Sequence, residues 1–430
     1  MKIVRCTDTR YARQMRALTV GSSLFDPAID QRTQAIVQAV QQRGDAAVLE
    51  FTERFDGAKL AAAQLAVTHA ELLAVSLKAD APLRQAVALA SRNIAAFARQ
   101  SLRQNWSARN AQGDKVGEKF DAFQRVGIYV PGGTAPLVST ALMTVLLARV
   151  AGCREIVVCT PCNKAGAINP ALLFAVRQAG ATEIYRVGGA QAIAAMALGT
   201  PTIGRVQKIF GPGNAYVVAA KRLLVGHVAI DLLPGPSEVL VLADDTANPR
   251  FVAADLLAQA EHGSGHERVW LVTTSAKLLQ TVEKEVARQL PALARRAFIR
   301  RALAKNGWLI QVATLAEGVA LANQLAPEHC EIHARRAAKL AQQIVTAGAI
   351  FLGPWSPTVT GDYLAGPSHT LPTGGAGRSF PGLTVDMFQR RTSVVEYSSA
   401  ALKKSLPTLS KFAALEGLGA HGRSAAIRWS

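Results

Sequence analysis

The sequence has few cysteines and no long apolar run, and each shortage excludes a class of protein. Its 430 residues include five cysteines, an odd number that argues against a disulfide-stabilised scaffold. The N-terminus has no apolar stretch of the kind found in secretory signals. No run approaches the roughly 20 apolar residues that cross a bilayer. We therefore expect a soluble, cytoplasmic protein with no membrane partner.

Aromatic residues are also few, at 6%, and acidic residues are outnumbered. The chain has 48 Lys and Arg against 30 Asp and Glu, a formal net charge of +18, which is compatible with nucleic-acid binding. The basic residues are scattered and do not form a run with interleaved aromatics. A solvated basic surface is therefore favoured over a nucleic-acid footprint, and its potential would also attract an anionic dinucleotide.

One cysteine pair, Cys159 and Cys162, has the C-x-x-C spacing of redox and zinc sites. It follows the apolar run Glu155–Cys159 and so lies where a strand is expected to end. No second Cys or His pair with zinc-finger spacing follows it. Two reduced thiols are therefore favoured over a redox or metal role.

The chain is long enough for two or more domains, and its 50% hydrophobic residues can form buried cores. The pattern from Asp26 to Gln104 is helical, with a cap at Asp26 and a stop at Gly44. Beyond it, short β-like runs alternate with helical stretches, which predicts parallel βαβ layers. The expected strands are Val126–Val130, Glu155–Cys159, Glu183–Val187, Val206–Phe210, Val228–Leu232, Val239–Ala243, Arg268–Thr273 and Ala349–Leu352. The expected helices include Ala81–Leu102, Thr140–Ala151, Pro170–Ala179, Gln191–Leu198 and Ala215–Leu224, with a short helical appendage from Leu402 to Arg428.

Glycine and proline cluster in the loops that follow these strands. The loops are Val130–Thr134, Val187–Gln191, Phe210–Asn214 and Leu233–Ser237. Glycine lets the backbone approach a phosphate or a ring closely, and ligands of parallel sheets bind beyond the carboxyl ends of the strands. None of the loops has the full G-x-G-x-x-G pattern, so a dinucleotide would bind here without the usual fingerprint.

Four short stretches, far apart in the chain, each carry a residue that can handle a metal or a proton. They are Gln259–Gly263, Pro327–His329, Gly361–Tyr363 and Glu416–His421. Single residues of these types are usually structural. Together, with Gly-rich turns between them, the four stretches predict a composite site of a metalloenzyme.

Gln259 and His262 lie at the end of a helix that Asn248 caps and Gly263 is expected to close. Three residues apart, they share one helix face, and an imidazole nitrogen and an amide oxygen can both bind zinc. A histidine at this end also suits the helix dipole. The structural alternative therefore stays open.

Glu328 and His329 follow a helix that should stop before Pro327, which leaves both on a loop or turn. A neighbouring carboxylate and imidazole can carry protons in a two-step reaction, although a helix-end salt bridge is the alternative. Further along the chain, Asp362 offers a hard anionic ligand in a turn. His333, in the next expected strand, is interpreted as structural.

The ordered motifs identify the chain as similar to the histidinol dehydrogenase family, over residues 30 to 428. Each motif alone is ambiguous, whereas their order is specific. They are Gly127–Gly133, Val187–Gln191, Lys208–Asn214, Gly235–Glu238, Ala258–Gly263, Ala326–His329 and His369–Thr373.

This resemblance implies a zinc- and NAD-dependent enzyme that oxidises L-histidinol through an enzyme-held aldehyde to L-histidine, reducing two NAD. His329 would take protons as hydride leaves, and Glu328 would activate water. The zinc ligands implied are Gln259, His262, Asp362 and His421, with His421 supplied by the partner subunit of an intertwined homodimer. The substrate contacts implied are Ser237, His369 and Glu416 together with the metal ligands and His329, and the NAD contacts are Tyr129, Gln191 and Asn214.

The expected fold is α/β, with two Rossmann-like domains and small helical segments at both ends. The expected division is an N-terminal segment 1–25, a main domain of 26–125 and 238–385 with the metal and catalytic residues, an NAD-contacting domain 126–237, and a C-terminal segment 386–430 that reaches the partner's site.

Three residue choices depart from the family's pattern, namely Leu233-Pro234, Ser368 and Arg149, and the first two could reshape the substrate pocket. A paralogous zinc/NAD dehydrogenase of another polar alcohol is therefore the second hypothesis. A basic nucleic-acid-binding protein on an enzyme-like scaffold is the third. Nitrogen and oxygen ligands alone would also suit manganese or cobalt.

Overall fold

The computed structural model describes residues 1–18, 26–132 and 136–429. Residues 19–25 of the expected N-terminal segment, and Gly133 and Thr134 of the first Gly-rich loop, lie outside the described residues. The strands are β1 (Lys2–Arg5), β2 (Trp106–Arg109), β3 (Lys115–Ala122), β4 (Arg125–Tyr129), β5 (Glu155–Thr160), β6 (Glu183–Arg186), β7 (Lys208–Phe210), β8 (Ala229–Ile230), β9 (Glu238–Ala243), β10 (Arg268–Thr273), β11 (Gly307–Gln311), β12 (His329–His333), β13 (Ala349–Leu352) and β14 (Gln389–Glu396).

The α-helices connect and cover these strands. They are α1 (Tyr11–Leu18), α2 (Pro27–Arg43), α3 (Asp45–Asp56), α4 (His69–Lys78), α5 (Ala81–Gln100), α6 (Val138–Ala151), α7 (Pro170–Ala179), α8 (Gly189–Leu198), α9 (Ala215–Leu223), α10 (Pro249–Ala260), α11 (Ala276–Gln289), α12 (Arg296–Asn306), α13 (Leu315–Leu325), α14 (Ala337–Ala341), α15 (Thr358–Tyr363), α16 (Ser399–Leu415) and α17 (Gly419–Ala426). Across the described ranges, none of these helices combines the length and apolar character needed to cross a membrane.

Two parallel sheets form the framework, so the α/β prediction is confirmed. One sheet has six strands in the order β1-β11-β10-β9-β12-β13, and the other has five in the order β6-β5-β4-β7-β8. The expected strands all occur, although β7 and β8 are shorter than expected. Right-handed crossovers through helices are how parallel strands are usually joined.

The structure adds strands that the sequence pattern did not predict. The N-terminal segment is not simply helical, because β1 pairs with β11 at the edge of the six-stranded sheet. The C-terminal segment begins with β14, which joins β3 and β2 in a three-stranded antiparallel sheet. Both strands are rich in charged or polar residues, as exposed edge strands often are, which hides them from a search for apolar runs.

The helices of residues 27–100 pack against the five-stranded sheet. Ile36 and Val48 share a buried cluster with Ile193 of α8, and Ile94 of α5 shares another with Ile128 of β4. The expected division places residues 26–125 with 238–385. The domain boundaries themselves stay a prediction.

A buried ion pair supports one Gly-rich loop of the five-stranded sheet. Lys221 and Asp231 are paired with both side chains inaccessible to solvent. Asp231 Oδ2 also accepts from the Gly211 N–H at 2.8 Å, and Lys221 Nζ donates to the Gly211 carbonyl at 3.0 Å. Gly211 has φ +106°, and a Cβ there would lie 2.1 Å from the Tyr129 carbonyl oxygen. The loop therefore requires glycine and is held by the ion pair.

Removing one partner of this pair should destabilise the fold. In Lys221→Met a carboxylate remains buried without its cation, so we expect the free energy of unfolding to fall by about 3–5 kcal/mol. Urea titration followed by circular dichroism measures the change. The control is Arg335→Met, which breaks the exposed pair with Asp245 and should cost less than about 1 kcal/mol. Equal small losses in both variants would contradict the assignment.

Candidate active site

A cavity of about 1190 Å³ lies between the two parallel sheets. From the five-stranded sheet it is lined by Pro212–Asn214, at the carboxyl end of β7, as expected for a parallel sheet. From the six-stranded sheet it is lined by residues at the amino ends of strands, such as Ser237, Arg268 and Trp308. This second orientation differs from the expectation that ligands bind only beyond carboxyl ends.

The cavity brings together most of the residues expected to carry chemistry. Apart from the adjacent Glu328 and His329, they come from different parts of the chain, so the composite arrangement arises only on folding. Those that line it are Asn214, Ser237, His262, Glu328, His329, Asp362 and His369.

One peptide segment fixes both Glu328 and His329. Strand β12 pairs with β9 in parallel, with His329 opposite Val239. The Glu238 N–H donates to Glu328 Oε2 at 2.8 Å, and His329 Nδ1 lies 3.0 Å from the Glu238 carbonyl oxygen. Glu328 stands just before the strand, whereas His329 is its first residue, so the expectation of a loop position is wrong for His329. Because His329 is paired within the sheet, its imidazole is held more rigidly than it would be on a loop.

The hydrogen bonds define which imidazole nitrogen of His329 is free. A carbonyl oxygen only accepts, so Nδ1 carries a proton, and in the neutral ring Nε2 then has the lone pair. Nε2 lies 3.5 Å from Asp362 Oδ1 and has no hydrogen-bond partner among the described residues. The neutral imidazole therefore presents a base at Nε2.

Burial and neighbouring charges shift the pKa values of this pair. Burial raises the pKa of Glu328 to about 8, and His329 acts against that rise. Burial alone would lower the pKa of His329, but Glu328 and Asp362 outweigh it and raise the value to about 9. The pKa of Glu328 therefore lies closer to neutral pH than that of an ordinary carboxyl group, whereas the raised pKa of His329 favours its protonated form. Shifted pKa values of this kind are common among proton-transfer residues in enzyme sites.

Asp362 lies where its carboxylate stays ionised. Burial would raise the pKa of Asp362, but the contact with His329 and the nearby His369 and His262 hold it below its usual value. His369 Nδ1 donates to the Asp362 carbonyl at 3.0 Å, and the Thr140 hydroxyl donates to His369 Nε2 at 2.8 Å. The His369 ring is therefore oriented on both sides.

Gln259 and His262 lie at the end of α10, which stops at Ala260 rather than at Gly263. His262 Nδ1 lies 3.0 Å from the Gln259 carbonyl oxygen. The imidazole therefore bonds to a carbonyl that would accept a backbone N–H if the helix continued. Nε2 of the neutral ring is then available as a ligand. The Gln259 side chain is buried and its Nε2 has no hydrogen-bond partner among the described residues.

Other expected site residues do not line this cavity. The Tyr129 hydroxyl accepts from the Gly189 N–H at 3.0 Å in the core, and the buried Gln191 amide has no hydrogen-bond partner in the described chain. Glu416 and His421 are exposed. Asn214 does line the cavity, and it also caps α9 through the Tyr216 and Val217 N–H groups.

The sequence patterns did not predict the role of Glu238 or a polar cluster deeper in the sheet. The Glu238 side chain is fully buried and contacts Arg268 at 3.2 Å. Asp255, Glu331 and His333 place one donor atom each within 4.8 Å of one another, a grouping that could hold a metal ion. Alternation of polar and apolar residues in His329-Cys-Glu-Ile-His333 was the available signal for this cluster.

These features place a buried carboxylate–imidazole pair beside candidate metal ligands in one cavity of an α/β protein, the arrangement of a candidate enzyme site. The family model described as histidinol dehydrogenase matches residues 22–429. The chain therefore belongs to the histidinol dehydrogenase family, and the resemblance stated from the motifs is confirmed.

Relatives and a solved structure agree over nearly the whole length. The chain is 48% identical to the histidinol dehydrogenase of a Synechococcus species over 91% of this chain and 90% of that protein. It is 44% identical to that of Bacteroides fragilis over 100% and 99%. The crystal structure of histidinol dehydrogenase from Elizabethkingia anophelis matches with a TM-score of 0.94 and 35% identity, covering 100% of this chain and 98% of that one.

The buried Glu238 predicts a pH dependence of stability. Burial raises its pKa to about 7, although Arg268 and the hydrogen bond from the Glu328 backbone lower it. A carboxyl pKa that is higher in the folded state gives stability that is fully present below the unfolded pKa of about 4.3. It is lost as the pH rises through about 7, by up to about 3 kcal/mol.

We expect Glu238→Gln to flatten this fall in the free energy of unfolding between pH 4.5 and 8. Urea titrations across that range measure it, with the exposed Glu53→Gln as the control. A slope in Glu238→Gln as steep as in the unaltered protein would show that another group is responsible.

Proposed function

We propose that the protein oxidises L-histidinol to L-histidine through an enzyme-held L-histidinaldehyde, with reduction of two NAD, as the last steps of histidine biosynthesis. The observation that carries the proposal is the pairing of Glu328 with His329 on the Glu238 peptide, facing the same cavity as His262 and Asp362. Membership of the histidinol dehydrogenase family supports the substrate. This role in amino-acid synthesis also supports a cytoplasmic location.

The donor set fits a zinc ion. His262 offers a neutral Nε2, Asp362 an ionised carboxylate, and Gln259 a buried amide that lacks a full set of partners. Zinc accepts imidazole and carboxylate ligands readily. We assign Gln259, His262 and Asp362 of one chain as ligands.

His421 completes the proposed ligand set from the partner subunit of a homodimer. In its own chain His421 is exposed and does not line the cavity. The same terminal segments expose large apolar side chains, such as Phe412 at 60% and Leu415 at 68%. Exposed apolar surface of this kind marks association, and Glu416 would reach the substrate by the same route.

NAD is proposed to bind along the part of the cavity formed by Pro212–Asn214. There the packing requires glycine at position 213, since a Cβ on it would lie 2.3 Å from Val217 Cγ1. We keep Tyr129, Gln191 and Asn214 as the proposed contacts. The Gln191 amide is buried and has no hydrogen-bond partner among the described residues, which leaves it available to a ligand and makes it the strongest of the three on chemical grounds.

When bound, NAD would accept a hydride in each oxidation and zinc would hold the substrate through its imidazole and amine. In the first oxidation, neutral His329 takes the alcohol proton at Nε2. Glu328 then removes a proton from the water that adds to the aldehyde carbon, while protonated His329 returns its proton to the aldehyde oxygen. Neutral again, His329 accepts the proton of the hydrate in the second oxidation. A cation at Asp362 would weaken the pull of that carboxylate on the His329 proton, which favours the neutral base. Ser237 and His369 would contact the substrate.

The stoichiometry and the metal requirement test this proposal. Purified protein should form two NADH per L-histidinol consumed, because two hydrides leave each substrate molecule. Removal of the metal by a chelator should abolish the activity, and zinc should restore it. If folded, zinc-loaded protein formed no NADH from L-histidinol, the proposed substrate would be wrong, and another polar alcohol would become the candidate.

Glu328→Gln should separate the two oxidations. The amide cannot take a proton from water, so we expect the second oxidation to slow by about 10²–10⁴-fold, while the first retains most of its rate. Single-turnover measurements with L-histidinol and with L-histidinaldehyde give both rates. Equal rates with the aldehyde in the variant and the unaltered enzyme would refute the role of Glu328. His329→Gln, in contrast, should slow both oxidations.

A further inference from the structure

Strand β12 presents three polar side chains to the same face of the six-stranded sheet. Alternate residues of a strand share a face, so His329, Glu331 and His333 point together toward α10. Cys330 and Ile332 point the other way and pack in the cluster with Leu321 and Ala322 of α13. The polar row therefore continues from the proposed active site into the protein core.

Glu331 holds the beginning of helix α15. Its Oε1 accepts from the Thr358 N–H at 2.6 Å and from the Thr358 hydroxyl at 2.5 Å. Pro357 precedes the helix and provides no side-chain cap. The Glu331 carboxylate thus replaces the missing cap from outside the helix. Glu331 and Thr358 are both buried.

The same helix carries Asp362 one turn later. Four helical residues rise about 6 Å, and two strand residues span about 6.6 Å. The spacing of Thr358 and Asp362 therefore matches that of Glu331 and His329, and Asp362 Oδ1 lies 3.5 Å from His329 Nε2. Both ends of α15 contact one strand, so the location of Asp362 depends on the contact at Thr358.

Asp255 and His333 hold the other side of the Glu331 carboxylate. His333 Nε2 lies 3.3 Å from Glu331 Oε2 and 3.7 Å from Asp255 Oδ2. Asp255 also hydrogen bonds to Glu331, and burial followed by that carboxylate raises the pKa of Asp255 to about 8. A protonated Asp255 can donate a hydrogen bond to Glu331 near neutral pH. The two carboxyl groups can therefore lie side by side without a metal ion between them.

We propose that Glu331 is a positioning residue that fixes Asp362 for metal binding by holding the first turn of α15, with Asp255 and His333 keeping its carboxylate in place. The proposal rests on the proposed function, because Asp362 is assigned there as a metal ligand. Groups behind the ligands of a metal site typically contribute 10- to 100-fold to metal affinity.

Cobalt(II) is the probe that tests this role, since its visible absorption reports the ligand geometry and its affinity can be measured by competition with a chelator. In the full-length protein, Glu331→Ala should bind Co²⁺ about 10- to 100-fold more weakly and with an altered spectrum. Glu331→Gln, which keeps an oxygen for Thr358, should recover part of the affinity. Thr358→Val removes one hydrogen bond with little change of shape and should weaken binding about fivefold.

Thr360→Val is the matched control. Within the described ranges, the Thr360 hydroxyl bonds to the Pro357 carbonyl of the same segment and not to β12, so the Co²⁺ affinity of this variant should be unchanged. The proposal would be overturned if folded Glu331→Ala bound Co²⁺ with the affinity and spectrum of the unaltered protein, even if the variant unfolds more easily. If Glu331→Ala does not fold, the same result in Thr358→Val overturns it.

The variant Asp362→Asn distinguishes a failure of the positioning role of Glu331 from a failure of the assignment of Asp362 as a metal ligand. A large loss of Co²⁺ affinity in Asp362→Asn, together with losses in the Glu331 and Thr358 variants, supports both. Loss in Asp362→Asn alone overturns the positioning role and leaves the ligand assignment intact. Undiminished binding in Asp362→Asn removes Asp362 from the ligand set and overturns both.

Discussion

The register between strands β9 and β12 is the constraint on which the candidate active site depends. Because His329 pairs with Val239, the peptide groups of Glu238 meet both proton-transfer residues, one through its N–H and the other through its carbonyl. A shift by one residue would turn every side chain of β12 to the opposite face. The chemistry is thus fixed by backbone pairing in a buried sheet, and the apolar packing that holds this sheet also holds the imidazole.

The two sheets contribute to the cavity in opposite ways. The five-stranded sheet offers Gly-rich loops at the carboxyl ends of its strands, the usual location for a nucleotide. The six-stranded sheet offers the amino ends of its strands, where Ser237 and His329 lie, together with His262 just beyond α10. In the proposed function, a dinucleotide and a small polar substrate would therefore approach one another from different layers, and the two oxidations would need both layers.

Local patterns in the sequence predict much of this arrangement. Alternating apolar runs predict the parallel strands, and the caps at Asp26 and Asn248 predict where helices begin. Motif order identifies the family, which spacing alone could not have done. The polar strands β1 and β14 are not found in this way, because their stability comes from partners hundreds of residues away. The pairing of Lys221 with Asp231 beside the Gly211 loop is not predicted either, although the two residues are close in sequence. Nothing in the local sequence shows that these charged side chains are buried.

Strand β12 shows why alternation alone is ambiguous. The sequence His-Cys-Glu-Ile-His has the period of a strand with one face in water, yet all five residues are buried. A buried polar face is costly unless each group has partners, and here the partners come from α10 and from the start of α15. Replacing Glu331 and His333 by apolar residues would satisfy packing more simply. The core instead carries a polar row that begins at His329 and is bonded to the helix of Asp362. The simplest explanation is that the cavity needs these two residues held in a fixed geometry.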